Sequence, residues 1–348
     1  MSAEPLWRSL QSSLLAGEAV ALATLVNQRG SAPRPEGASL LVRADGSLLG
    51  AVSAGCLETD VVNHALRVLE TGRPELQRYQ PASADDPLSF GLSCGGSVDL
   101  VIERWGPEQL PQLQPLFSGL ANDEPVLLKT SLDNPGQLAV STATERLSNS
   151  AEGAGRPWPA RAWIQPDADG NRIIYRLHRP ATPLWIFGAT DIADALAALA
   201  RPLGFRSIVI DARSRFATQE RCASADAVVC AWPHHWFAEQ SVSDSTVICA
   251  LNHDPKFEIP LLSLALRSPA AYIGAMGSRS THRQRLQALR KAGLNEQQLQ
   301  RLRAPIGLNL GGRTGHEIAL SILAEVVMLR CGGAGAALTD GQGPLHRR

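Results

Sequence analysis

The segment LWIFGATDIADALAALARPLGFRSIVID, residues 184–211, decides how the second half of the chain folds. An apolar run, Leu184–Phe187, empties through a glycine into a helical pattern at Ile192–Leu203, and a second apolar run, Ser207–Ile210, ends on Asp211. Short apolar runs bounded by turn residues read as buried strands, and strand, helix, strand in this order reads as a parallel βαβ unit. Strand candidates at Ala227–Cys230, Thr246–Ala250 and Ala271–Ile273 extend the sheet, each followed by polar or glycine residues. The expected architecture is α/β, with a Rossmann-like domain and a mainly parallel sheet over residues 181–331. Its loops would gather on the sheet edge where such folds bind ligands.

The first turn of that domain reads Gly188-Ala189-Thr190-Asp191, where a dinucleotide fingerprint asks for a second glycine at position 190. Thr190 crowds the close backbone approach of a pyrophosphate, and Asp191 brings negative charge to the phosphate position. Either side chain can instead cap the helix. Asp211 still fits the acidic position that holds a ribose, so Gly188 and Asp211 are carried forward as candidate nucleotide contacts. A second glycine turn, Tyr272–Arg279, offers Gly277, Ser278 and Arg279 ahead of a helix carrying Arg283 and Arg285. It reads either as an anion site or as a tight turn with a solvated basic face. Farther on, Thr314 and Glu317 form a capping-box pattern, and Arg313 is left as a candidate ligand contact. His253 and Asp254 follow a strand end, where a ligand-facing role and a simple turn role both stand. The tandem His234-His235 between Trp232 and Trp236 has no third ligand at metal-site spacing.

Upstream, residues 29–58, RGSAPRPEGASLLVRADGSLLGAVSAGCLE, join an Arg/Gly/Pro loop to a hairpin and then to a Gly-Cys loop. Ala38–Arg43 and Ser47–Val52 are the strands, and Ala44-Asp45-Gly46 is the turn. Residues Ser53–Cys56 open a helix running to about Leu69, so Cys56 is expected beside amides that a helix start leaves unpaired, which favours a thiolate. The segment FGLSCGGSVDLVIE, residues 90–103, repeats the logic with a Cys94-Gly95-Gly96 loop feeding a strand. With a helix at Leu6–Leu15 and a buried strand at Ala19–Val26, the N-terminal half is an α+β domain. Domains are expected at 1–180 and 181–331, with a Gly-rich, disordered tail at 332–348.

Lys plus Arg and Asp plus Glu balance at 33 each, which argues against a nucleic acid or an anionic membrane as partner. No segment approaches the ~20 apolar residues of a bilayer span, and the start lacks a leader pattern, so a soluble cytoplasmic protein is expected. Six scattered cysteines match neither a zinc site nor a disulfide scaffold. Cys222, Cys230, Cys249 and Cys331 are assigned to packing or surface.

Taken together, these segments resemble the XdhC/CoxI family, accessory proteins for maturation of xanthine dehydrogenase-like molybdenum enzymes. The resemblance rests on Arg29–Arg34, Gly37-Ala38, Asp45-Gly46, Gly55–Glu58 and Cys94–Gly96 in the first domain. In the second it rests on His253–Phe257, Tyr272–Gly274, Gly277–Arg279, Ala304–Leu308 and Glu317–Ala319. It implies a chaperone without turnover of its own. Such a protein binds a molybdopterin-type molybdenum cofactor, protects it while its terminal sulfido ligand is installed, and delivers it to an apo-enzyme. The implied partners are a xanthine dehydrogenase-family molybdoenzyme and a cysteine desulfurase-type sulfur donor. A carrier of that cofactor needs a soft or shielded site for the metal and donors for an anionic end. Cys56 is the candidate molybdenum contact with Cys94 beside it, Arg29 and Arg34 are the anion holders, and Ser31, Gly55, Glu58 and Gly95 complete the set. Two alternatives stand: an NAD(P)-dependent oxidoreductase centred on Asp211, weakened by Thr190 and Asp191, and a cofactor-free maturation scaffold. A homodimer is the default for an unpaired hairpin edge and an apolar final helix.

Overall fold

A computed structural model of the chain describes residues 4–30, 32, 34–81, 92, 95–142, 162–252 and 254–340. The chain divides into two compact units, Ala3–Pro180 with Leu338–Arg348, and Ala181–Ala337 with the first two residues. Ser31, Cys94 and His253 lie outside the described residues.

The first unit runs α1 (Glu4–Leu15), β1 (Val20–Arg29), β2 (Ser39–Arg43), β3 (Leu48–Gly50), α2 (Glu58–Thr71), β4 (Glu75–Tyr79), β5 (Ser97–Trp105), α3 (Leu110–Ala121), β6 (Val126–Ser131), β7 (Leu138–Thr142), β8 (Ala162–Pro166) and β9 (Arg172–His178). Five strands form an antiparallel sheet in the order β3-β2-β1-β5-β4, and four form a second in the order β7-β6-β9-β8. β1 reads apolar without alternation because both its faces are covered. Ala21, Ala23 and Leu25 pack with Val61, Ala65 and Val68 of α2. Val20 and Leu22 pack with Trp7, Leu10 and Leu14 of α1 and with Leu113 and Leu116 of α3.

A buried cation ties the two sheets of this unit together. Arg176 of β9 is 2% exposed. Its Nε donates to Thr24 Oγ1 at 3.3 Å, its Nη1 donates to Thr130 Oγ1 at 2.9 Å, and its Nη2 pairs with the Glu103 carboxylate of β5. Breaking one half of a buried pair strands the other charge, at a cost of about 3–5 kcal/mol, whereas replacing both halves with apolar groups is often close to neutral. Arg176→Ala should therefore lower the urea midpoint sharply, and Arg176→Met combined with Glu103→Leu should recover most of the loss. Equal loss in the single and the paired variants would show that the ion pair does not hold the sheets.

The second unit runs β10 (Thr182–Phe187), α4 (Asp191–Ala200), β11 (Phe205–Asp211), β12 (Ala227–Cys230), α5 (Pro233–Ala238), β13 (Val247–Ala250), α6 (Pro255–Ala265), β14 (Tyr272–Ala275), α7 (Arg279–Lys291), α8 (Glu296–Leu299), β15 (Leu302–Arg303) and α9 (Gly315–Cys331). Its six strands are all parallel, in the order β12-β11-β10-β13-β14-β15. This is the doubly wound order, with the chain reversing direction across the sheet beside β10. α4 and α9 cover one face, where Ala193, Leu196, Ala319 and Ile322 meet Leu184, Ile186 and Val209. On the other face Phe237, Leu261 and Leu289 meet Trp185, Phe187 and Ile248.

Several boundaries differ from the sequence reading. The helix expected from Ser53 begins at Glu58. The helix expected to reach Leu203 ends at Ala200, and Arg201–Leu203 tighten into a 3₁₀ turn around Pro202, which has no amide to donate. β4 and β7 are strands that the sequence reading did not name; β4 reads ELQRY and is half-exposed over most of its length. The segment after Cys331, expected to be disordered, carries a 3₁₀ turn at Leu338–Asp340, and residues 341–348 lie outside the described residues. Among the described residues, no helix is long and apolar enough to cross a membrane.

Candidate functional site

Antiparallel register brings the sequence-predicted loops of the first unit to one end of its five-stranded sheet. Thr24 pairs with Ser39, Leu40 with Gly50, and Arg29 with Ser97. The chain after Arg29, before Ser39, after Gly50 and before Ser97 must therefore leave the sheet on the same side. Gly50 permits this register: its φ is 96°, and a Cβ there would lie 2.3 Å from the Ser39 carbonyl oxygen. The loops then touch. A Cβ on Gly30 would sit 3.3 Å from the Gly96 Cα, so these two loops meet backbone to backbone. Arg34 Nε donates to the Ser53 carbonyl at 3.3 Å, tying the Arg29–Arg34 loop to the one that carries Cys56.

The loop before α2 is locked from within by Glu58. Its carboxylate accepts the Ser53 amide at 2.8 Å, the Gly55 amide at 3.0 Å and the Ser53 hydroxyl. The Ser53 Oγ in turn accepts the amides of Gly55 and Leu57, both at 3.1 Å. Cys56 was expected beside unpaired amides, but Ser53 and Glu58 take up those of Ser53, Gly55 and Leu57. What holds Cys56 is packing: it is half-buried against the core formed by Leu57, Val61 and their neighbours. Glu58 thus positions the loop. Ser53, 1% exposed, is a site residue that the sequence reading missed. A capping box separates its partners by three residues, and Ser53 and Glu58 are five apart.

The loops at this end carry charges of both signs, Arg29 and Arg34 against Glu36, Glu58 and Asp99. Arg29 and Arg34 are both exposed. Asp99 on β5 tempers them; burial pushes its carboxyl up, but Arg78 at 2.8 Å, Asn27 at 3.0 Å and the charge of Arg29 hold it below its ordinary value. For Glu58, too, burial acts upward and is outweighed by the hydrogen bonds from Ser53, leaving a lowered pKa. A carboxyl lowered in the folded state keeps its contribution at neutral pH and loses it only as the pH falls through that lowered value. The NMR shifts of the Ser53 and Gly55 amides should therefore stay constant down through the usual carboxylate range and move only below it. In Glu58→Ala both amides should exchange with solvent about tenfold faster or more at neutral pH. Unchanged exchange would show that Glu58 does not hold the loop.

The second unit places its candidates along the C-terminal edge of the parallel sheet. Gly188 N donates to Ile210 O at 2.8 Å, and Thr190 caps α4. Asp211 is 1% exposed, and both its oxygens are taken by the Ala189 amide at 2.9 Å and by Arg213, whose Nη2 lies at 2.7 Å. Asp254 caps α6 through the Lys256 amide at 3.1 Å and pairs with the Lys256 ammonium at 3.1 Å. Ser278 caps α7, while Gly277 and Arg279 flank it. Arg313 is exposed, and its amide donates to the Glu317 carboxylate at 2.8 Å. Cys222 and Cys249 are buried in the core, and Cys230 and Cys331 are exposed. Among the described residues, no group of three or more His, Cys, Asp or Glu side chains is arranged to hold a metal ion. A cavity of about 180 Å³ in the first unit, lined by Gly72, Trp105, Gln109, Ser131 and Gln137, contains none of the convergent loop residues.

Comparison with known proteins agrees with this two-part layout. Residues 13–80 match the XdhC and CoxI family, and residues 184–326 match the XdhC Rossmann domain. The chain is 32% identical over 321 residues to a molybdenum cofactor insertion chaperone, PaoD, of Escherichia coli (strain K12), spanning 91% of this chain and 86% of that protein. It is 26% identical over 330 residues to a probable xanthine dehydrogenase subunit of Bacillus subtilis (strain 168), spanning 90% and 94%. A crystal structure described as a xanthine dehydrogenase from Bacillus halodurans superposes with a TM-score of 0.74 over 97% of this chain and 98% of that one. At 23% identity, that likeness speaks to fold alone. The chain belongs to the XdhC and CoxI family.

Proposed function

We propose that this protein binds the molybdenum cofactor in its first unit, shields it while its terminal sulfur is installed, and passes it to an apo molybdoenzyme of the xanthine dehydrogenase family. The observation that carries this reading is the convergence of the Arg29–Arg34 loop with the Gly55-Cys56 loop and with Gly95-Gly96, tied by Arg34 to Ser53. The relative named as a molybdenum cofactor insertion chaperone matches over nearly the whole chain and lends it weight.

The donor set fits the cofactor's chemistry. When bound, the cofactor supplies a soft metal and sulfur end together with a phosphate end. Arg29 and Arg34 present guanidinium donors suited to an oxyanion. Cys56 offers a soft sulfur at the same end of the sheet. Ser53 and Glu58 fix the loop, so that the thiol and the cations keep their spacing without reordering on binding. A sulfur donor of cysteine desulfurase type and the recipient enzyme would be met in turn at this rim. The five described cysteines are all free thiols, which suits work in the reducing cytoplasm.

Anaerobic titration with molybdenum cofactor tests the reading. Wild type should bind one equivalent. Arg34→Ala and Cys56→Ala should each weaken binding about tenfold or more, equivalent to ~1.4 kcal/mol. Failure of the wild type to bind would overturn the carrier role and leave a cofactor-free scaffold in its place.

A further inference from the structure

We propose that the Rossmann-type unit takes a phosphate-bearing anion at the start of α7, around Gly277, Ser278 and Arg279, and not at the glycine turn after β10 where this fold ordinarily places a dinucleotide. The site stands on the second unit alone, whether or not the first unit holds a cofactor.

The turn after β10 is closed by the chain's own atoms. A Cβ on Gly188 would lie 3.1 Å from Asn252 N and 3.2 Å from the Leu251 carbonyl carbon, so the space that this glycine leaves is filled by the neighbouring loop. Thr190 uses its Oγ1 to accept the Ala193 amide at 3.3 Å. The Asp191 carboxylate stands at the start of α4, 3.0 Å from where a Cβ on Gly315 would project, and repels a second anion there. Asp211, the residue that would receive a ribose, has a side chain with no exposed surface and is saturated by Ala189 and Arg213. The residues present therefore do not fit a dinucleotide in its usual position.

Two other helix starts on this edge are already served by acids. Asp254 caps α6, and Glu317 accepts the Arg313 and Thr314 amides at the start of α9. α7 differs in having no acid in its first turn. Its 13 residues begin with the exposed Arg279, and the hydroxyls of Ser278, Ser280 and Thr281 cluster there, with Ser278 Oγ 2.6 Å from Ser280 Oγ and 2.9 Å from Thr281 Oγ1.

The observation that points to a ligand is Arg285. Long helical side chains lean toward the helix N-terminus, and Arg285 runs back from the second turn of α7 to lie against the Gly277 turn. It is 3% exposed. Its Nη2 donates to Met276 O and to Glu258 Oε1, both at 2.6 Å, and lies 3.2 Å from where a Cβ on Gly277 would sit. Its Nε and Nη1 are buried and, among the described residues, have no hydrogen-bond partner. His282 Nδ1, in the first turn of the same helix, is likewise buried and unpaired among the described residues. Buried donors without acceptors are costly. Glu258 offsets the guanidinium charge but leaves those N–H groups open. A tetrahedral oxyanion seated at the helix start meets the exposed Arg279 and the clustered hydroxyls, with the Arg285 guanidinium against the Gly277 turn beside it. The ligand class is a phosphate monoester or a diphosphate.

The test is calorimetric titration of the full chain with inorganic pyrophosphate and, separately, with NADH. Wild type should bind pyrophosphate, Arg279→Ala should weaken it about tenfold, and Asp191→Asn should leave it unchanged. Arg285→Lys should weaken binding as well, with thermal melting recorded alongside. If that variant unfolds, the exposed Arg279 still decides the matter. Pyrophosphate affinity untouched by Arg279→Ala, no pyrophosphate binding at millimolar concentration, or NADH binding that Gly188→Ala abolishes and Arg279→Ala spares would each overturn the proposal.

Discussion

The candidate site of the first unit depends on the register of β1. Because β1 pairs antiparallel with both β2 and β5, the end of β1 and the beginnings of its two neighbours lie on one side of the sheet. The β2 to β3 hairpin adds the end of β3 and the approach to α2 on that same side. A shift of one residue would turn Ala21, Ala23 and Leu25 away from α2, so core burial and site assembly are fixed by the same pairing. The bulge between Leu25 and Asn27 changes the count just before the loop and lets Arg29 face Ser97.

At four of these loops a carboxylate is bound to backbone amides. Glu58 closes the loop before α2, Asp211 holds the turn after β10, Asp254 caps α6, and Glu317 serves the start of α9. Each carboxylate satisfies backbone amides that a helix start or a sharp turn would otherwise leave open. Arg29, Arg34, Arg279 and Arg313 remain exposed beside them. Exposed arginines thus stand at the loops of a chain that carries no net charge.

Five of the six strands of the second unit, with α4, α7 and α9, were legible because most of those strands are short, apolar and buried, whereas α5, α6, α8 and β15 are too short or too weakly patterned to stand out. The arginines, glycines and cysteine of the first-unit loops were legible as residue types. Their convergence was only partly so, since it follows from pairing between β1 and β5, which lie some 70 residues apart in sequence. The roles of Glu58 and Asp211 were not legible. Each resembles a ligand contact by motif position, yet its oxygens are consumed by Ser53 and Gly55 in one case and by Arg213 and Ala189 in the other. Such contacts depend on how a loop folds back on itself, and neither composition nor periodicity encodes that. β4 was missed for a related reason: an edge strand reading Glu-Leu-Gln-Arg-Tyr owes its place to pairing with β5 more than to its own propensity.

The most direct measurement of where the cofactor binds is hydrogen–deuterium exchange by mass spectrometry on the full chain, with and without bound molybdenum cofactor. Protection concentrated in peptides covering Arg29–Gly37, Ser53–Leu57 and Gly95–Ser97 is the predicted result. Protection confined to the second unit, with these three segments unchanged, would contradict the assignment of the cofactor to the convergent loops.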